Sequence, residues 1–526
     1  MAETFYDPKL SSSPQIQTEQ IKVFSNNNQT YLEKQKIIIQ IPKEVQFIDP
    51  ANTYLQAKVD FNNDAAGTEL NTPVILNATG GLNSLFSRCT IYAGDQLLED
   101  ITGYDYYCSH INAYCDSAGD CNRDSLLSGK QPCPYEPSKQ ISHNIFLQPY
   151  TELNAAVNVN YNKKSLQQNL STHLKTGLFS SHKVYFNSAA ALRIELTINP
   201  TDKSVKMVDM VKLGNGVCLL QAAVAANATT FTLQADLANG TSPAEVVFRN
   251  SPFAVGDVVS CTSGGNTDTA TITNVAIANG RYVYTINAAF GNIKAVNSEV
   301  FIANANCNAN LQLKDVSLSV AKVIPPKNWV DRTLQMISSP GGYNFDIDSI
   351  NSVIVSKSRN ENDVVCYVPT IANRAKSCIV VPINSAGVNT FTNDFMNATY
   401  DNIRGDSYSF YYESGQHPSE EVFINRYAGN KLQAEHLYEL EKALSTNNEV
   451  KRLDYSIPQL ATRNKQYFMI GRQFTPVGSM SLNSRDLQFR LKCRPGQSLQ
   501  NQTTFHFYIH NIRRVKIDLS GTRVIM

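Results

Sequence analysis

Residues 192–200 read LRIELTINP, and residues 487–495 read LQFRLKCRP. Both have the form L-x-[I/F]-x-L-x-x-x-P, in which apolar and polar residues alternate and a proline closes the run. Side chains alternate between the two faces of a strand and proline cannot donate to a β-ladder, so each stretch predicts a strand with one apolar face and a fixed end. A further strand-like region follows each copy, at 311–324 and at 505–525. This recurrence predicts an internal duplication, in which two copies of one β-sandwich each close with their last two strands.

The remainder of the chain also reads as short strands. Residues 54–61 alternate between apolar and polar side chains, and clusters of Gly, Pro, Asn and Asp separate such runs. Helical periodicity is limited to residues 433–444 and, more weakly, to residues 166–176. The pattern therefore predicts an all-β protein with a few short helices. Other runs rich in β-branched and aromatic residues lie at 320–324, 378–383, 505–509 and 515–519.

A segment of different composition interrupts the first half. Residues 214–310 contain only eight charged residues, and Ala, Asn, Thr and Val dominate. Glycine and asparagine accept positive φ, so Gly264-Gly265-Asn266 and Asn279-Gly280 predict hairpin turns. We expect a small β-rich insert, since a structureless loop of this length is rare in a compact protein. Its predicted strands are 230–233, 257–261, 269–275 and 281–286.

Composition narrows the classes of function. A chain of 526 residues is too long for one compact core and predicts two or three domains. Its net charge of +1, with Lys and Arg scattered, argues against wrapping nucleic acid. No apolar run approaches the ~18 residues of a membrane span, and residues 1–20 lack the apolar segment of a secretory signal. Eleven cysteines without a C-x-x-C pair predict buried thiols in a reducing compartment rather than a zinc site.

Several polar residues are of a type that could serve in catalysis or metal binding. Glu99 and Asp100 are adjacent on a predicted strand, so they should face opposite sides and not work together. His110 lies near Cys108 and Cys115, but without a second close pair a structural histidine is expected. Neither reading gives a catalytic or metal site.

Further candidates are also weak. His506 and His510 should share one face of a strand, as expected for a surface or an interface. His417-Pro418 and Glu420-Glu421 read as a polar loop. Gly80-Gly81 and Gly264-Gly265 lack the helix and lysine of a phosphate-binding loop. Arg404-Gly405-Asp406 matches the integrin-recognition tripeptide, which often occurs by chance in a turn. We expect no catalytic, cofactor-binding or metal-binding residues.

Three stretches carry a resemblance to a known family. Residues 80–92, GGLNSLFSRCTIY, continue into residues 94–101, GDQLLEDI; residues 404–420 and residues 510–519, HNIRRVKIDL, lie in the second half. Together they resemble the double jelly-roll major capsid proteins of the polinton-like virus, virophage and adintovirus group. The resemblance implies two tandem jelly-roll β-barrels and homotrimers of pseudo-hexagonal outline in the icosahedral shell of a double-stranded DNA virus. It also implies penton and minor capsid proteins as partners.

This resemblance gives the domain boundaries that we expect. The first jelly roll comprises residues 29–213 and 311–328, with the insert between its last two strands. The polar arm is 1–28, the insert is 214–310, and the second jelly roll is 329–526. The expected function is that of a non-enzymatic coat protein, assembled inside the host cell and located in the virion. A β-rich receptor-binding or glycan-binding protein is the alternative, and an enzyme on a jelly-roll scaffold is a third possibility.

Overall fold

The structure is a computed structural model in which β-strands dominate. Its strands divide into two barrels and an insert, described in turn below. The residues that it describes are 17–62, 74–76, 79–115, 127–130, 168–181, 183–207, 219–233, 253, 255–278, 281–302, 310–369, 372–385, 403–412, 415–424, 433–446, 468–475, 479–482, 487–518 and 521–525.

The first barrel is built around two facing sheets. One has the strand order β1-β17-β4-β8, with β2 on β17 and β9 on β4; the other has the order β3-β10-β6-β7. A 3₁₀ helix, Gly81–Leu85, precedes β6, helix α1 follows β7, and the one-turn helix α2 follows β10. The bounds are β1 Gln17–Phe24, β2 Thr30–Leu32, β3 Lys36–Gln40, β4 Phe47–Asn62, β5 Val74–Leu76, β6 Phe86–Ala93, β7 Gln96–Thr102, α1 Tyr104–Cys115, β8 Gln168–Thr172, β9 Tyr185–Phe186, β10 Leu192–Ile198, α2 Thr201–Ser204, β11 Val205–Met207 and β17 Asn310–Ile324.

The second barrel repeats this plan. One of its sheets has the order β18-β26-β20-β23 and the other β19-β25-β21-β22, and helix α4 follows β22 as α1 follows β7. Helix α3 connects the two barrels. The bounds are α3 Lys327–Ser338, β18 Tyr343–Lys357, β19 Asp363–Val368, β20 Ala372–Asn384, β21 Gly405–Tyr412, β22 Gly415–Phe423, α4 Ala434–Ser445, β23 Ile470–Gln473, β24 Met480–Leu482, β25 Leu487–Cys493, β26 Thr503–Asp518 and β27 Gly521–Ile525.

The internal duplication is confirmed by this topology. Strand β10 lies between β3 and β6, and strand β25 lies between β19 and β21. The closing strands β17 and β26 each lie between two long strands of their own barrel. In β10 the buried side chains alternate with partly exposed ones, because the apolar residues of 192–198 all point into the core. The two proline-ended stretches are therefore equivalent strands.

The insert between β11 and β17 has a sheet of its own, with the order β12-β15-β14-β13-β16. Its predicted strands are confirmed as β12 (Thr230–Thr232), β13 (Val258–Ser263), β14 (Asn266–Ala278) and β15 (Arg281–Ile286), and β16 (Glu299–Ile302) completes it. Gly264 and Gly265, with φ of 55° and 82°, form the two-residue hairpin turn between β13 and β14. The second predicted turn, Asn279-Gly280, lies outside the described residues.

The structure differs from three local predictions. The helix predicted at 166–176 is wrong for Gln168–Thr172, because these residues form strand β8, which pairs with β4. The polar loop predicted around His417-Pro418 and Glu420-Glu421 is wrong, since these residues lie in the edge strand β22. Residues 17–24, within the range assigned to the polar arm, form β1, because the backbone pairs with β17 along its whole length. The helix predicted at 433–444 is confirmed as α4.

Candidate functional site at the junction of the two barrels

The two barrels share one continuous sheet. Strand β7 of the first barrel and strand β18 of the second meet in parallel at Asp100 and Asn351, which joins their sheets into ten strands. The hydroxyl of Ser349 donates to the carbonyl of Leu98 at 2.9 Å, and the amide of Thr102 donates to Ser352 Oγ at 2.6 Å. Side chains of the second barrel therefore satisfy the exposed backbone of β7, which would otherwise be a sheet edge.

Glu99 is the buried acid of this junction. Its carboxylate accepts hydrogen bonds from the backbone amides of Leu178 at 2.7 Å, Gly177 at 2.9 Å and Ile350 at 3.1 Å. Burial raises the pKa of Glu99 to about 7, although these three amides and the nearby Arg513 act in the opposite direction. One side chain thus connects a loop of the first barrel to strand β18 of the second.

Asp100 points to the other side of the same strand. Both of its carboxylate oxygens accept from the guanidinium of Arg88, at 2.7 and 2.6 Å. The prediction that Glu99 and Asp100 face opposite sides is confirmed. They cannot act as a joint acid–base pair.

Helix α1 fills the space between the barrels with aromatic side chains. The ring of Tyr106 lies 5.1 Å from that of His506, and the ring of Tyr107 lies 5.0 Å from that of Tyr508. Burial lowers the pKa of His506 to about 3 and that of His110, on α1, to about 4. Both imidazoles are therefore neutral and act as packing groups. His506 and His510 lie on one face of β26, as predicted, and that face is the interface between the barrels.

His510 belongs to a buried chain of polar groups. Its Nε2 lies 3.3 Å from Asp348 Oδ1, and its Nδ1 lies 3.2 Å from Thr446 Oγ1, which is 2.6 Å from Ser377 Oγ. The order acid–imidazole–hydroxyl resembles a hydrolytic triad. However, the Thr446 hydroxyl donates to the carbonyl of Ala443, and the cluster is closed off between α4, β20 and β26. The arrangement fixes the end of α4 to the sheet.

Two glycines allow the barrels to approach each other. A Cβ at Gly103, where φ is 72°, would lie 2.6 Å from His506 Nδ1. A Cβ at Gly177 would lie 2.5 Å from the carbonyl of Asp348. Any larger residue would push the second barrel away at both points.

The remaining motifs noted in the sequence lie within or beside regular secondary structure. Gly405 of the Arg404-Gly405-Asp406 tripeptide is buried at the start of β21, and the Asp406 carbonyl accepts from the Ile424 amide at 2.9 Å. Gly405 and Asp406 are thus part of a sheet, and Arg404, with φ of 48°, is the turn residue that precedes it. Glu421 of β22 is ion-paired with Lys492. Gly80-Gly81 packs against α1 and the segment around Ser128, at the start of the 3₁₀ helix.

Cys108 is buried in α1, and Cys115 at its end is half-buried. Across the described ranges, no group of three or more His, Cys, Asp or Glu side chains is arranged to hold a metal ion. Within the same ranges no helix is long and apolar enough to cross a bilayer. The sequence carries no local signal for the junction, because each contact of the junction joins residues far apart in the chain.

Comparison with known proteins points to one fold. Neither a protein-family model nor a curated protein sequence matches the chain. Among solved structures, the Faustovirus major capsid protein matches with a TM-score of 0.50 at 9% identity, covering 96% of this chain and 91% of that one. A quasi-atomic model of the PBCV-1 virus capsid gives a TM-score of 0.47 at 9% identity and covers 97% of both chains. The family resemblance read from the sequence is thereby confirmed for the fold: the chain is a double jelly roll with the architecture of the Faustovirus major capsid protein.

Proposed function

We propose that this protein is the major capsid protein of a double-stranded DNA virus, forming homotrimers of pseudo-hexagonal outline that tile an icosahedral shell. The observation that carries the proposal is the fusion of two topologically equivalent barrels through a buried junction. One copy then supplies two similar sectors of a ring, so that three copies related by a threefold axis supply six. The fold shared with the Faustovirus major capsid protein supports the same function.

The chemistry of the junction supports a structural role. Glu99 and Ser349 join β18 to the first barrel, Thr446 joins the end of α4 to the sheet, and the imidazole of His506 packs against α1. This is what a coat subunit requires, since its function is to hold a fixed shape. The protein would act without a cofactor, in the virion, with penton and minor capsid proteins as neighbours.

Two segments would extend beyond the barrels. The polar arm, whose first sixteen residues lie outside the described part of the chain, would reach a neighbouring capsomer or the inner side of the shell. The insert at 214–310 would form an outward tower, since external function is commonly carried by additions to a rigid scaffold. Unchanged shell assembly after deletion of the arm would contradict the first role. Antibodies against the insert that fail to bind intact particles would contradict the second.

The test is the mass and shape of the purified protein. Light scattering after gel filtration should give three times the 58.3 kDa of one chain, and negative-stain images of that peak should show a hexagonal outline. A protein that remains at 58.3 kDa under raised concentration and salt would reject the proposal. Binding assays on glycan arrays would then test the receptor-binding alternative.

A further inference from the structure

The two barrels of one copy show how a barrel covers its neighbour. Helix α1 of the first barrel lies against the outer face of the sheet β18-β26-β20 in the second, through the contacts of Tyr106 with His506 and Tyr107 with Tyr508. Tyr508 is 1% exposed, and Ile379 of β20, which is aligned with it, is buried as well. Helix α1 is itself buried on every side from Tyr104 to Tyr114, because its own barrel covers the rest of it.

Among the described residues, the equivalent face of the first barrel carries exposed side chains. In the sheet β1-β17-β4, Phe24 aligns with Ser317 and Gln56, and Lys22 aligns with Ser319 and Tyr54. The intervening Val23, Leu318 and Leu55 form part of the core, so this set lies on the outer side of the sheet. Its long side chains are exposed or half-exposed, whereas the small Ser317 and Ser319 between them are buried. We call this surface the open face. Phe24 is 55% exposed there, and Lys22 Nζ lies 5.2 Å from the centre of its ring.

The helix equivalent to α1 also has an exposed side in the described part of the chain. Helix α4 buries His436, Leu440 and Leu444, and its opposite side carries a stripe of exposed and half-exposed side chains. The stripe follows the helical period and carries Tyr438, which is 61% exposed. Its other members are Ala434, Glu435, Glu441, Lys442 and Ser445.

We infer that α4 of one copy packs against the open face of a second copy, in the way that α1 packs against β18-β26-β20 within one copy. The inference rests on the proposed function and names the contact that builds the trimer. An exposed aromatic residue stands on each surface, and the acidic Glu435 and Glu441 of the stripe would meet Lys22. The contact is head-to-tail, since the two surfaces belong to different barrels, and such a contact closes into a ring when the rotation permits.

Substitution of the two exposed aromatics tests the contact. Phe24→Glu and Tyr438→Glu should each abolish the trimer peak and leave a 58.3 kDa species with an unchanged circular dichroism spectrum. Tyr367→Glu is the matched control, because Tyr367 is 65% exposed on β19 of the same barrel as Tyr438. Strand β19 belongs to the sheet that corresponds to β3-β10-β6-β7 of the first barrel. In that sheet the outward residues Tyr92 and Arg193 remain partly exposed, so its outer face is not the contact between the two barrels of one copy. The control should therefore remain trimeric.

A cross-link gives a second test that does not depend on destabilising the subunit. Under oxidation, a chain carrying Phe24→Cys and Tyr438→Cys should form covalent dimers and trimers, and a chain carrying Phe24→Cys and Tyr367→Cys should not. A trimer that survives both glutamate substitutions, or that gives no cross-link, would overturn this contact and leave the proposed function standing. A wild-type protein that is monomeric throughout would overturn both.

Discussion

The hydroxyl of Tyr508 donates a 2.7 Å hydrogen bond to the carbonyl of Gly103, 405 residues earlier in the chain. Tyr508 lies in the closing strand of the second barrel, and Gly103 lies between β7 and α1 of the first. Both are enclosed by the aromatic side chains of α1. The barrels therefore belong to one packed unit, and breaking this contact should destabilise the whole chain rather than one half of it.

Tyr508→Phe removes the hydroxyl and leaves the Gly103 carbonyl without that donor. That carbonyl still accepts from the amide of Tyr107 at 3.0 Å, so the variant loses one net hydrogen bond and the free energy of unfolding should fall by about 0.5–1.5 kcal/mol. Urea denaturation followed by circular dichroism measures it. Tyr367→Phe provides the control, because Tyr367 is exposed to solvent. This variant should change the free energy of unfolding by no more than about 0.5 kcal/mol. Equal effects of the two variants would contradict a special role for the Tyr508 contact.

Gly103→Ala should destabilise the junction more strongly. Its φ of 72° is unfavourable for alanine, and the new methyl would lie 2.6 Å from His506 Nδ1 and 2.9 Å from the Tyr508 hydroxyl. Backbone strain and overpacking together predict a loss of about 2–5 kcal/mol. Gly94→Ala separates the two causes, since φ is 57° there and no atom lies within 4 Å of the added Cβ. Thermal unfolding should show a loss of only about 1–2 kcal/mol at Gly94.

Local patterns in the sequence predicted the strands whose two faces differ. Strand β10 and the strands of the insert alternate between core and solvent, and period-two patterning is strong in such strands. Strand β22 was missed because it is an edge strand with mostly half-exposed or exposed side chains, so its sequence reads as a loop. The region of β8 has weak helical periodicity, with Leu166, Leu170 and Leu174 spaced by four, but pairing with β4 decides its conformation.

The junction could not be predicted in the same way. Helix α1 is buried on all sides, so it lacks the polar face by which an amphipathic helix is recognised. The sequence indicates only that Glu99 and Asp100 face opposite sides of a strand, whereas the partners of Glu99, which are Gly177, Leu178 and Ile350, come from two distant segments. No pattern of residue spacing along the sequence indicates contacts between such distant segments. The family resemblance predicted two barrels, whereas the residues that hold the barrels together could be identified only from the structure.

The insert should be separable from the barrels. In the described residues its strands pair with one another, and the rings of Phe231, Phe253, Tyr284 and Phe290 form a cluster of their own. Replacing residues 214–310 with a short Gly/Ser linker should leave the secondary structure of the barrels and their oligomeric state unchanged. Residues 214–310 expressed alone should unfold cooperatively on heating. Aggregation of the deleted chain, or a non-cooperative transition of the isolated insert, would show that the two parts depend on each other.

Glu99 should make the stability of the protein depend on pH. Its pKa is about 7 in the folded state, above the ordinary value of 4.5, so the folded protein keeps a proton that the unfolded chain releases between these values. The resulting stabilisation is fully present below pH 4.5 and is lost as the pH rises through 7, with an amplitude of roughly 3 kcal/mol. Glu99→Gln removes the titrating group. It also turns an amide NH₂ towards backbone donors, so this variant should be less stable than the wild type at acidic pH.

The test is a series of urea denaturation curves from pH 5 to pH 8. The difference in unfolding free energy between wild type and Glu99→Gln should narrow steadily over this range, because only the wild type loses a bound proton at this site. Glu44→Gln, which removes the same charge from an exposed position, should give a constant difference from wild type. Parallel curves for Glu99→Gln and wild type would mean that the carboxylate stays ionised throughout. The three backbone amides and Arg513 would then outweigh burial at the barrel junction.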